Sequence, residues 1–384
     1  MPLLRRNIEH IRVAVAGLGQ MGGHHVRALR QLAAGEAEAY YKSGLAAQVG
    51  KTRLCGVCDT APGAAMRFPG LPFFHDWETL LRTVRPDIAV IATPTRTHET
   101  LALAALAQGV HVLVEKPVAT RRQDWDRLAA TADRHGVRLM SGHVERYNPV
   151  AIKLRTLLLA GSLRVGRYQF RRCQPHDPRI PDDIVTDKLI HDLDLAQFFF
   201  GPVAAAELLD FKTAGDQVQE AVVALRHTGG TSGQLLVSWL RPGDGKIRDV
   251  RMTAADDSAV TGDFAAKRLR IGGAEVDCNV PGWVKAGNNQ IKDELADFIG
   301  YCLEPDPSLP PVQPLLTPAE IAAATTLIEQ VAAAIASRKK VAWPNHEINS
   351  GRAAQASDRS DLSDTSDLSG RPPPCVNKSA KTHV

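Results

Sequence analysis

The segment IRVAVAGLGQMG, residues 11–22, decides how this chain folds. Ile11 to Ala16, apolar except for Arg12, reads as a short strand, and Met21 to Leu32 has the spacing of a helix. Between them stands Gly17-Leu18-Gly19-Gln20-Met21-Gly22. In a strand–turn–helix setting these glycines have separate tasks. Gly17 permits the tight turn, Gly19 lets the backbone approach a pyrophosphate, and Gly22 allows helix and strand to pack closely. The helix start, with Gln20 and Met21, then offers free N–H groups and a favourable dipole to an anion.

Working outward, the second strand, Arg53 to Cys58, ends at Asp59. An acid there can accept hydrogen bonds from the adenosine ribose hydroxyls and would repel a 2′-phosphate, which favours NAD over NADP. Asp59 lies farther from the glycines than the usual spacing of roughly 20 residues. The Ala-rich stretch from Gly35 to Gly50 accounts for the excess as an insertion. Further strands are expected at Asp87–Ala92, Val110–Val114 and Val137–Met140, with amphipathic helices between most of them. That alternation predicts βαβ units and a parallel sheet covered on both faces. Beyond about residue 150 the texture changes. A helix from Asn148 to Leu159 and a strand from Tyr168 to Cys173 precede a helix around His191. Val203–Phe211, Gln219–Arg226, Ser232–Trp239, Asp249–Ala254 and Lys267–Ile271 then read as successive strands, which favours an antiparallel sheet. Two helices follow, Asn288–Cys302 and one opening with the capping box Thr317-Pro318-Ala319-Glu320.

Composition narrows the function classes. With 46 basic and 42 acidic residues, the formal net charge is only +4. No electrostatic case for nucleic acid or an anionic membrane follows. No apolar run approaches the roughly 20 residues of a membrane span, and the N-terminus lacks a signal-peptide pattern. Of six cysteines only Cys55 and Cys58 are close, and they alternate with Leu54 and Val57 as in a packed strand. The expectation is a reduced, cytoplasmic protein without a metal.

Two strand ends carry chemistry. ATPTRTHET, residues 92–100, closes the strand Asp87–Ala92, and HVLVEKPVA, residues 111–119, closes the strand Val110–Val114. In an open parallel sheet, ligands bind beyond the carboxyl ends of the strands. Thr93, Pro94, His98, Glu115 and Lys116 are therefore candidates for the cofactor crevice. Pro117 disfavours helical geometry at Lys116 and helps direct its side chain. A third stretch, DKLIHDLDLAQFFFG at residues 187–201, places Asp187 and His191 four apart on one helical face, with Asp194 a turn further on. A carboxylate one turn from an imidazole can orient it and raise its basicity.

GLGQMGGHH, VIATPTRTHE, VLVEKPVA and DKLIHDLD stand in the order found in the glucose-fructose oxidoreductase / inositol dehydrogenase (Gfo/Idh/MocA) family, which the chain resembles over roughly residues 10–345. The resemblance implies an α/β Rossmann domain over residues 1–145. It implies an α+β domain over 146–345 with an open, mainly antiparallel sheet, through which dimers or tetramers form. Lys116, Asp187 and His191 would carry the chemistry. Residues 346–384, rich in Ser, Asp, Arg and Pro, are expected to be a disordered tail. SGHVERYNPV (141–150) and FRRCQPHDPRIPDDIVTDKLIHDLD (170–194) are similar to a narrower set, the UDP-N-acetylglucosamine 3-dehydrogenases. That similarity implies His143, Arg146 and Asn148 on the substrate side, and Arg171, Arg172 and Arg179 for a pyrophosphate. Lys188 departs from the small or apolar residue expected after Asp187. The implied activity is NAD-dependent oxidation of a nucleotide-sugar secondary hydroxyl, with a sugar transaminase drawing off the product. A ketosugar reductase, an inositol or polyol dehydrogenase and a non-catalytic NAD-binding sensor are the alternatives.

Overall fold

A computed structural model describes residues 3–5, 8–35, 46–178, 182–240, 246–280, 288–305 and 315–337. The expected tail at 346–384, Arg179 and most of the Gly35–Gly50 stretch lie outside the described residues. The first half runs β1 (Ile11–Ala16), α1 (Gln20–Ala33), α2 (Ala46–Val49), β2 (Thr52–Cys58), β3 (Phe73–Phe74), α3 (Trp77–Val84), β4 (Ile88–Ile91), α4 (His98–Ala107), β5 (His111–Glu115), α5 (Arg122–His135) and β6 (Leu139–Gly142). These six strands pair in parallel in the order β3-β2-β1-β4-β5-β6. β4 and β5 are buried from end to end, as helices on both faces of a parallel sheet require. The order is that of a Rossmann fold, and it reverses between β1 and β4, where a crevice opens at the strands' carboxyl ends. Gly22 permits the first crossover: a Cβ there would lie 1.7 Å from the Gly17 carbonyl oxygen.

The second half runs α6 (Pro149–Leu159), β7 (Val165–Cys173), α7 (Ile190–Phe200), β8 (Val203–Ala214), β9 (Gln217–His227), β10 (Ser232–Ser238), β11 (Ile247–Ala254), β12 (Ala259–Asp263), β13 (Arg268–Ile271), β14 (Ala274–Val276), α8 (Gln290–Cys302) and α9 (Pro318–Ala336). The eight strands pair in the order β14-β13-β12-β11-β7-β10-β9-β8. Only β7 and β10 run parallel. Phe170, Val223, Leu235, Val250 and Leu269 point into a core closed by Leu154, Leu193, Phe199 and Leu327 from the helices. The opposite face carries exposed Arg167, Arg251, Arg268 and Arg270. β12 and β14 were not expected from the sequence. They are short and polar, and their neighbours' ladders hold them rather than their own apolar pattern.

Two expectations need correction. The sequence boundary near residue 145 assigns α8 to the second part, yet Leu295, Phe298, Ile299 and Cys302 belong to the core of the first sheet. The apolar face of α8 packs against α1, and Leu4 N–H and Leu4 C=O stitch the chain's beginning to Cys302 and Glu304 at 2.9 Å. The second concerns apolar length. α9 has 19 residues and a mean hydropathy of 1.3, enough by length and composition to cross a membrane. Its Ile321, Leu327, Ile328 and Val331 are buried in the protein's own cores, which accounts for the composition. Cys55 and Cys58 are free thiols in β2, pushed up to about 11 by burial, in keeping with a packed strand.

Candidate active site

The crevice at the switch point encloses about 1710 Å³ and is lined from both halves of the chain. Gly17, Gly19, Gln20 and Met21 form one wall, with Asp59 at the end of β2. Gly17 sits at φ +84°, where a side chain would be strained and would meet the Ala92 carbonyl at 2.5 Å. A Cβ on Gly19 would meet nothing within 4 Å, so the loop surface stays open to a ligand. α1 has no side-chain cap and no acid in its first turn, which leaves its N-terminal N–H groups and dipole uncompensated. These features fit the diphosphate of a dinucleotide. Asp59 accepts the Leu18 N–H at 2.6 Å and the Ala61 N–H at 2.7 Å, which fixes its carboxylate at the rim.

Thr93, Pro94, His98, Glu115 and Lys116 all reach the crevice. His98 is a buried brace, its ring nitrogens each 2.8 Å from a carbonyl oxygen, of Pro117 and of Thr93. The Lys116–Pro117 peptide is cis. Lys116 Nζ donates to the Asp187 carboxylate at 2.9 Å and to its carbonyl at 2.7 Å. A core strand thus ends in two charged residues, and each has a partner. Glu115 pairs with buried His25 of α1 at 2.6 Å, and Lys116 pairs with Asp187 from the second half. Neither charge is buried alone.

Asp187 lies in a π-helical turn, Val185–Leu189, that runs directly into α7. Such turns often mark functional sites. Among the described residues no hydrogen bond joins Asp187 to His191, so the carboxylate does not orient the imidazole directly. The wider turn spends the Asp187 carboxylate on two lysines instead, Lys116 at one oxygen and Lys188 at the other, both at 2.9 Å. Burial works against the ionised carboxyl, but the two ammonium groups outweigh it and hold Asp187 below its usual range. His191 is buried at the crevice edge, and its Nδ1 has no partner among the described residues. Burial first, then Lys116, Arg172, Lys188 and Arg248, keep its imidazole far below the usual range. The ring is therefore neutral at physiological pH, as a proton acceptor must be.

Several residues expected on the substrate side have other partners. Arg146 is fully buried, with Nε 2.9 Å and Nη2 2.8 Å from Asp194, and it also pairs with Glu320. His143 lies 3.3 Å from the same Asp194 carboxylate. Asn148 caps α6 by accepting the Val150 N–H and donates to the Phe264 carbonyl. Arg171 is tied to Asp249 across β7 and β11. Arg172, 2% exposed, is spent on Asp192 and Glu145. The polar groups that line this end of the crevice instead include Lys188, Lys246, Arg248, Glu145 and Gln174. Only Lys188 left a signal in the sequence, as a polar residue where an apolar one was expected. Arg248 comes to lie opposite Arg172 through β-sheet register, and Glu145 reaches them from the turn Val144–Tyr147.

Comparison with known proteins agrees with this geometry. A family profile described as an oxidoreductase family with an NAD-binding Rossmann fold matches residues 11–143. UDP-N-acetylglucosamine 3-dehydrogenase of Acidithiobacillus ferrooxidans is 31% identical over 238 residues, 60% of this chain and 67% of that one. A solved structure of the enzyme of that name from the same organism is 25% identical, with a TM-score of 0.68 over 85% of this chain and 98% of that chain. Inositol 2-dehydrogenase 2 of Saccharopolyspora erythraea is 29% identical over 233 residues, and the match spans 58% of each chain. A glycine cradle at a Rossmann switch point, an EKP strand end and a second, mainly antiparallel sheet thus meet in one chain, which belongs to the Gfo/Idh/MocA family of oxidoreductases.

Proposed function

We propose that the protein is an NAD-dependent dehydrogenase acting on a secondary hydroxyl of a nucleotide sugar, with C3 of UDP-N-acetylglucosamine as its substrate position. The observation that carries this reading is the convergence of Lys116, Asp187 and neutral His191 at the mouth of the cofactor crevice. His191 accepts the hydroxyl proton. Lys116 donates a hydrogen bond to the same oxygen as negative charge develops on it, and Asp187 fixes the ammonium in place. NAD, when bound, supplies the acceptor for the hydride leaving the carbinol carbon. Lys116, Arg172, Lys188 and Arg248 all bear on His191, and this cationic surround favours an alkoxide. With Arg172 sequestered, Lys246 and Arg248 are cations at this end of the crevice that can meet a diphosphate, Arg248 while also pairing with Glu145 at 2.8 Å. The arginine-bearing face of the second sheet is our candidate for self-association.

The test is incubation with NAD and UDP-N-acetylglucosamine, free N-acetylglucosamine or inositol, following NADH absorbance and product mass. Binding energy from the remote nucleotide positions the reacting carbon, so the UDP sugar should react far faster than the free sugar. Oxidation by NAD at neutral pH lies on the alcohol side. A transaminase with its amino donor should therefore convert slight NADH formation into sustained turnover. The similarity to inositol 2-dehydrogenase 2 supports a second reading, a polyol dehydrogenase. Equal or faster oxidation of inositol would establish that reading and exclude the first.

Cofactor choice gives a separate prediction. NAD should be used in preference to NADP, and Asp59→Ala should narrow the gap by removing ribose hydrogen bonds and repulsion of a 2′-phosphate. Steady-state kcat/KM for the two cofactors measures it. A parent enzyme that prefers NADP would show that Asp59 does not face the ribose.

A further inference from the structure

Beneath the crevice floor lie three buried ionisable groups with no part in the chemistry above. His25 comes from α1, Glu115 from the end of β5 and Glu294 from α8. Their polar atoms lie within 4.8 Å of one another, and none of the three side chains exceeds 7% exposure. Glu115 uses both oxygens. One accepts from His25 Nε2 at 2.6 Å, and the other accepts the backbone N–H of Lys116 at 3.3 Å. The carboxylate therefore folds back over its own strand end and clamps the peptide from which the Lys116 side chain departs. Lys116 in turn reaches 2.9 Å to Asp187. Glu294 closes the third side, and neither of its oxygens has a hydrogen-bond partner among the described residues.

A buried, unpaired carboxylate beside a second carboxylate is untenable, so the cluster needs either a cation or a proton. Two nitrogen or oxygen ligands of one metal ion, each about 2.0–2.1 Å from it, sit roughly 3 Å or more apart. The 2.6 Å contact between His25 and Glu115 is instead a direct hydrogen bond, with no room for an ion between the two atoms. A proton on Glu294 is the remaining solution. It agrees with the effect of burial, then of Glu115, Asp297 and Asp194, which together push that carboxyl far above its usual range.

We propose that His25 and Glu294 are positioning residues for Lys116: with Glu294 carried as a neutral acid, they form a metal-free dock for the Glu115 carboxylate, which fixes the backbone from which Lys116 reaches Asp187. The kinetic consequence rests on the role of Lys116 proposed above, whereas the positioning itself does not. Two measurements separate them. The first is the rate at which acetic anhydride acylates Lys116 in NAD-free protein, read by peptide mass spectrometry, which needs no sugar substrate. The second is turnover of UDP-N-acetylglucosamine together with NAD affinity. His25→Ala and Glu294→Ala should each raise the labelling rate and lower kcat by about tenfold, the lower range for a group that orients another, with NAD affinity unchanged. Glu294→Gln has the same shape and no charge, and it should match the parent in both measurements.

Parent-like labelling in both alanine variants would overturn the proposal. So would a Glu294→Gln defect as large as that of Glu294→Ala, or one zinc or manganese per chain in the parent by elemental analysis. Thermal melts check that each variant is folded. If the alanine variants do not fold, Glu294→Gln decides alone, because an ionised or metal-bound Glu294 would make it defective. A parent that oxidises no sugar while its labelling rates follow the expected pattern would refute the proposed function and leave the positioning intact.

Discussion

Replacing Lys116 with Ala, or His191 with Asn, is expected to lower turnover by at least about a hundredfold, the scale of a positioned acid–base group. Both side chains stand at the crevice mouth and neither supports the glycine loop, so NAD affinity should hardly move. The effects differ in kind. Lys116→Ala removes the donor to the developing alkoxide and leaves Asp187 with Lys188 alone. His191→Asn removes the acceptor for the hydroxyl proton. The parent's pH profile gives an independent check. Neutral His191 is the active form, and its folded-state value is depressed below the ordinary 6.5. The acid limb of kcat/KM should therefore fall below pH 6.5, since protonation is delayed as the pH drops. Near-normal turnover in both variants, or an acid limb above 6.5, would rule out the assigned roles. Stopped-flow or steady-state NADH absorbance suffices for both.

Arg146→Ala should be the most destabilising of the single substitutions considered, costing about 3–5 kcal/mol, the range for removing one partner of a buried pair. Arg146 is fully buried and forks onto Asp194, which is 1% exposed. The burial of Asp194 opposes its charge, but Arg146 and then His143 hold it ionised well below the usual carboxylate range. Without Arg146, Asp194 keeps, among the described residues, only His143 at 3.3 Å. The double replacement Arg146→Met with Asp194→Leu should recover most of the loss, because it removes both charges and fills the space. Urea unfolding measures both. The linkage has a sign as well. A carboxyl depressed in the folded state contributes stability above its unfolded value, lost as the pH falls through its folded one. Acid should thus narrow the difference between parent and Arg146→Ala. A stable Arg146→Ala with a raised KM for the sugar would instead return Arg146 to the substrate side.

Arg146 shows where sequence reasoning and structure part. SGHVERYNPV identifies a family pattern, but a pattern does not say whether an arginine faces a ligand or a buried aspartate 48 residues away. The same holds for Arg172, whose partners Glu145 and Asp192 come from a different turn and a different helix. Asp187 and His191 were legible as a pair on one helical face. The carboxylate does not orient the imidazole, because the π-helical turn directs it to Lys116 and Lys188.

By itself, the sequence determined the Rossmann half, the glycine cradle, the acid at the end of β2, the EKP strand end and the capped start of α9. Each of these is local. A turn needs glycine, a doubly covered strand needs consecutive apolar residues, and a helix start needs its cap, so the information lies within a few positions. Only the tertiary structure decided which charges are paired, which helix joins which core and which cations remain at the crevice. Those are matters of burial and of partners far apart in the chain. α8 shows this most clearly: its apolar stripe suits either core, and its packing against α1 brings Glu294 beneath the end of β5.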